Sequence, residues 1–130
     1  MIWRRLESSG HSDGPPHAIY LVGMNVPKDT DEAGLSEFNE FYANVHVPEV
    51  IAFLGFRNGT RFELHREFDH PAPGCPRFCA AYEADEDATG FLLRRDAGSA
   101  SGAPTLSSGP TTWEKHDTLW RLVYCRIDLT

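Results

Sequence analysis

No stretch of this chain approaches the roughly 20 consecutive apolar residues that a membrane-spanning helix requires, so a spanning protein is not expected. The arginines near the start, in MIWRRLESSGHSDGPPH, are not followed by an apolar run, and the segment does not read as a secretory leader. Basic residues are few: 12 Lys and Arg stand against 19 Asp and Glu, a net charge of −7. That balance disfavours nucleic acid, whose binding is driven by basic contacts to phosphate, and disfavours an anionic membrane surface equally. Cysteine is sparse, at Cys75, Cys79 and Cys125. An odd count suits a reducing, cytoplasmic setting. Cys75 and Cys79 lack zinc-knuckle spacing and a second pair, while Cys79 and Cys125 sit in apolar runs and read as small buried hydrophobes. No His pair has zinc spacing, no Gly-rich phosphate loop follows a strand and no Gly-x-Ser-x-Gly elbow is present, so neither a metal nor a cofactor is expected.

What is present suffices for one self-supporting domain. Over 130 residues, 41% hydrophobic and 12% aromatic content can build a core without disulfides, burying roughly two-thirds of the unfolded surface. Residues 1–16, polar with Gly and Pro toward their end, read as a mobile arm before a domain at 17–130. The β-rich run Ala18–Val26 is the first expected strand, closed by Pro27. The segment PKDTDEAG carries helix-starting residues. From Leu35 the pattern turns helical: Leu35, Phe38, Phe41, Tyr42, Val45, Val50, Phe53 and Leu54 form one stripe. Pro48 should bend or restart that helix, and Gly55 should cap it.

Phe56–Glu67 reads as the second strand, with Phe56 and Phe62 on one face and Arg57, Arg61 and His65 on the other. Gly59 inside it signals a bulge or a close backbone approach. Arg77–Ala84 reads as the third strand, hairpinned to the second. Glu86–Asp96 fits a short second helix, and residues 97–112 form a Gly/Ser/Pro-rich loop that is either a cover over a site or disorder. Leu119–Leu129 is the last strand, Trp120, Leu122 and Tyr124 alternating with Val123, Cys125 and Ile127.

The order strand-helix-strand-strand-helix-strand is that of an α+β, ferredoxin-like βαββαβ domain, a four-stranded antiparallel sheet with both helices on one face. Such a sheet has an uncovered side, and these strands carry apolar residues on both faces. A second copy is expected to cover that side, giving a homodimer.

The segment FNEFYANVHVPEVIAFLGFRNGTRFEL, followed by AAYEADED and closing with WRLVYCRI, resembles the dimeric α/β-barrel superfamily and is nearest its EthD-like branch. The resemblance rests on the aromatic-Tyr-x-x-x-His-x-Pro helix and the Leu-Gly-Phe-x-x-x-x-Arg strand, and covers about residues 18 to 129. It implies the dimeric barrel fold. Its reactions range over cofactor-free cyclases, isomerases, decarboxylases, dehydratases and monooxygenases, and a fold does not choose among them.

His46 is the first catalytic candidate. It follows Tyr42 on one helix face beside the Pro48 irregularity, and a neutral imidazole can take or give a proton at a carbonyl substrate. The family resemblance implies that same acid–base role for it. The competing reading is a buried histidine bonded to backbone or Glu49. Arg61 matches the family's strand arginine and can hold a carboxylate or enolate oxygen, or form a salt bridge with Glu63 or Glu83. Tyr82 and Tyr20 can donate to a substrate oxygen or simply pack. Trp113 and Trp120 are candidates for an aromatic wall, Tyr42 and His65 for further substrate contacts, and His116 for a lid.

Three functions follow. The first is a cofactor-independent cyclase, isomerase, dehydratase or decarboxylase acting on a small hydrophobic carbonyl or phenolic compound, such as a polyketide-like intermediate. The second is a cofactor-free or haem monooxygenase, and the third a non-catalytic small-molecule binder.

Overall fold

A computed structural model describes residues 2–11, 13–69, 74–86 and 106–127. Strands β1 (Ile2–Gly10), β2 (Ala18–Asn25), β3 (Asn58–Arg66), β4 (Phe78–Ala84) and β5 (Asp117–Cys125) form one antiparallel sheet in the order β1-β3-β4-β2-β5. Helix α1 (Glu32–Phe41), a π-helical turn at Tyr42–His46 and α2 (Val47–Leu54) pack on one face, and the short helix α3 (Thr111–Glu114) precedes β5. The protein is therefore α+β, with five strands among the described residues rather than the expected four.

The additional strand comes from residues expected to form an arm. β1 is an edge strand whose sequence is too polar to announce itself, and pairing across to β3 holds it. Arg4 bonds Glu63, the Ser8 and Thr60 hydroxyls lie 2.9 Å apart, and Arg61 reaches Glu7 at 2.9 Å. A register shift between Arg5 and Ser8 lets Leu6 pack against the core. Charged residues and a bulge are usual ways to blunt an exposed edge.

The helical stripe and its signals form as their chemistry requires. Asp31 caps α1 by accepting from the Gly34 N–H at 2.7 Å, and Gly55 ends α2 at φ 72°, its N–H donating to the Ile51 carbonyl. The irregularity falls one turn earlier than Pro48. A proline in a helix lacks its N–H and presses on the carbonyl four residues back. The chain widens into a π turn, the Val47 N–H reaching the Tyr42 carbonyl, and Pro48 then sits in the first turn of α2, where no donor is missed.

Ala18, Tyr20, Val22 and Met24 of β2 and Phe78, Ala80, Tyr82 and Ala84 of β4 are all buried on the helix side, with Phe38, Tyr42, Val47 and Val50 above them. Gly59 is the close approach rather than the bulge. A Cβ there would meet the Tyr82 ring and Val47 Cγ1 at 2.9 Å, while β3 and β4 stay in register through it. Phe56 departs from its expected face: it precedes β3 and stacks on Tyr82, ring centroids 5.2 Å apart, whereas Phe62 lies opposite Cys79 on the far side. Cys79 is buried as expected, its thiol pushed up to about 12 by burial, but Cys125 on edge strand β5 is exposed. The second helix expected over 86–96 and the loop residues 97–105 lie largely outside the described residues. Among those described, no helix is long and apolar enough to cross a membrane.

Candidate functional site

Strand β5 pairs with β2, and this long-range neighbour relation creates a cavity of about 290 Å³ between α2, the sheet and α3. Tyr20, Val22 and Met24 form its floor, Val50 and Leu54 one wall, and Trp113, His116, Thr118, Arg121 and Leu106 the other, with His46 between. This is the lower end of the size range for small-molecule pockets.

His46 reaches the cavity from the end of the π turn, a helical irregularity often found where a side chain must be re-aimed. Its ring lies 4.3 Å from that of Trp113 and 5.7 Å, edge-on, from that of Tyr42. Among the described residues no protein group bonds its ring nitrogens. Burial pushes the imidazole down from 6.5 to about 4; nearby His116 adds to the drop and Glu49 opposes it. At neutral pH, His46 therefore carries an available lone pair.

Trp113, buried in α3, is the centre of the aromatic wall. Its indole contacts Phe38, Phe41, Tyr42, His46 and His116, with centroids between 4.3 Å and 5.6 Å away. Thr112 ties α3 to α1 by donating to the Gly34 carbonyl at 3.2 Å. The His116 ring lies tilted against the indole, centroids 4.5 Å apart, and its Nδ1 bonds the Trp113 carbonyl. A carbonyl only accepts, so Nδ1 carries a proton and donates it there. The segment before α3 is fastened from both sides. The Ser107 N–H and hydroxyl donate to Glu49, whose carboxyl is held below its usual range by those two bonds, and the Gly109 N–H donates to Glu114 at 2.7 Å.

The structure gathers His46, Tyr20 and Trp113 at the cavity, with His116 beside them, and leaves the other candidates elsewhere. Tyr42 lies directly beneath, fully buried, its hydroxyl without a partner among the described residues and its pKa raised well above the ordinary value, chiefly by burial. Arg61 is separated from His46 by that ring: its guanidinium lies 4.3 Å over Tyr42, bonded to Glu7 at 2.9 Å and to the Asn39 side chain at 2.6 Å. It does not line the cavity and does not pair with Glu63 or Glu83. Tyr82 is a core residue stacked on Phe56, its hydroxyl pKa raised by burial. His65 is exposed toward the end of β3. Trp120 lies opposite Gly23, on the sheet face away from His46.

Sequence reasoning missed Arg121 and Thr118 and placed His116 only at a lid. The alternation of β5 does carry a signal, since Arg121 shares a face with Val123, opposite the Trp120 and Leu122 face. What it does not carry is which face meets α2. Among the described residues no three His, Cys, Asp or Glu side chains gather as a metal site. No family model, curated protein or solved structure matches this chain.

Proposed function

We propose that this protein is a cytoplasmic, cofactor-independent enzyme that performs acid–base chemistry on a small hydrophobic carbonyl or phenolic compound, of cyclase, isomerase, dehydratase or decarboxylase type. The observation that carries the reading is His46: a neutral imidazole with unengaged nitrogens, set against Trp113 in an apolar cavity. A ligand seated on Trp113, Met24, Val50 and Leu54 would bring an acidic C–H or O–H to a His46 nitrogen. For a ketone, the imidazole takes the α-proton, the C–H electron pair becomes the enolate, and the imidazolium returns the proton to carbon or oxygen. Negative charge forming beside the ring favours the imidazolium as the reaction proceeds.

The architecture supports the same family of readings. Without β1, the strands run β3-β4-β2-β5, the neighbour order of a ferredoxin-like sheet, with β1 an addition at its edge. The homodimer belongs to this proposal. Ile19, Leu21, Phe62, Leu64, Leu122 and Tyr124 share the sheet face opposite the helices, and Leu122 and Tyr124 are 38% and 57% exposed.

Deuterium uptake at the α-position of small aromatic ketones in D2O, followed by proton NMR, tests the chemistry. The wild-type protein should accelerate exchange, and His46→Ala should lose about 100-fold. Exchange that survives His46→Ala sinks the assignment, and a ligand bound but recovered unlabelled points to a binding protein.

A further inference from the structure

The described lining of the cavity holds basic side chains, whereas the chain as a whole is acidic. The protein carries a net charge of −7, yet among the described residues no Asp or Glu lines the cavity, and its ionisable walls besides Tyr20 are His46, His116 and Arg121. The carboxylates on the bordering helices are occupied. Glu49 of α2 holds Ser107 and Glu114 of α3 holds Gly109, so both fasten the segment before α3. Arg4, Arg57, Arg61 and Arg77 each meet a carboxylate. Arg121, lying opposite Val22 on the cavity side of β5, has no such partner among the described residues.

An exposed guanidinium lining a cavity with no acid among its described residues suits a planar anion, because two parallel N–H bonds match a carboxylate. We infer that the cavity takes an anionic aromatic ligand, its ring against Trp113 and its carboxylate on Arg121. The volume of about 290 Å³ accommodates one or two fused rings. This deepens the proposed function and rests on the same cavity. It also gives His46 a counter-charge: an anion beside it favours the imidazolium that burial disfavours, bringing proton transfer nearer to neutral pH.

The test compares 2-naphthoate with its neutral isostere 2-naphthamide, titrated into the full chain and read at the Trp113 indole N–H resonance. The carboxylate should bind about tenfold more tightly than the amide. Arg121→Gln, an exposed position on an edge strand, should bring the ratio near one while resonances far from the cavity stay in place. Equal affinities, a preference that persists in Arg121→Gln, or no shift of the Trp113 resonance with either probe would each overturn the inference. Its fate is separable from that of the enzyme. Carboxylate preference without His46-dependent exchange upholds the ligand class and removes the acid–base role. Exchange on neutral ketones with equal probe affinities does the reverse.

Discussion

His46 lies with its ring 4.3 Å from Trp113, two residues from distant parts of the chain brought into contact by a π turn on one side and a four-residue helix on the other. The contact leaves the imidazole neutral and exposed to a cavity. Most of the behaviour expected of the protein depends on it.

Stability should fall with acid in a window set by His46. Its folded pKa of about 4 is below the unfolded 6.5, so between these values the unfolded chain binds a proton that the folded chain does not. The contribution is intact above pH 6.5 and lost as pH falls toward 4, amounting to about 3 kcal/mol. The coulombic effect of His116 deepens the loss, and that of Glu49 moderates it. Urea denaturation across this range should show the wild-type protein losing stability relative to His46→Gln. Parallel pH profiles would mean that His46 titrates normally.

Trp113→Ala should cost about 3–5 kcal/mol, as for other buried large aromatics, because it empties the space shared by Phe38, Phe41 and Tyr42. Trp113→Phe should retain the fold at a smaller cost and weaken naphthoate binding. A thermal melt of each variant checks the ranking. Two melts within a degree of wild type would show that α3 is not part of the core.

Arg61→Met should lower stability by about 1–3 kcal/mol, since it strips charge-assisted bonds from Glu7 and Asn39 beneath α1. Naphthoate affinity should be unchanged, because Tyr42 stands between Arg61 and the cavity. Glu7 is 39% exposed at its side chain and can rehydrate, so Glu7→Gln should cost less. A loss of binding without a loss of stability would return Arg61 to the site.

Leu122→Arg places a charge on the uncovered sheet face without touching the cavity. Sedimentation should find twice the chain mass for the wild-type protein and the single-chain mass for the variant. A wild-type protein that sediments as one chain at all concentrations would refute the homodimer.

The four strands read at Ala18–Val26, Phe56–Glu67, Arg77–Ala84 and Leu119–Leu129, found at Ala18–Asn25, Asn58–Arg66, Phe78–Ala84 and Asp117–Cys125, and the helix that Gly55 closes were legible because period, cap and breaker are local properties. β1 was not. WRRLESSG has no alternation of its own, and it becomes a strand only through Glu63, Thr60 and Arg61 on the strand beside it. The short helix at Trp113 was hidden in the same way, its four residues held by Gly34 and the aromatic rings around the indole.

The sequence alone determined the α+β class and the long helix with its proline-driven irregularity. Each depends on neighbours a few positions away. Only the tertiary structure decided what His46 would face. Sheet order sets β5 beside β2, which delivers His116, Thr118 and Arg121 to the cavity, while Tyr42 intervenes and keeps Arg61 apart. Periodicity specifies which residues share a face. Which face meets which partner is settled by the packing of elements far apart in the chain.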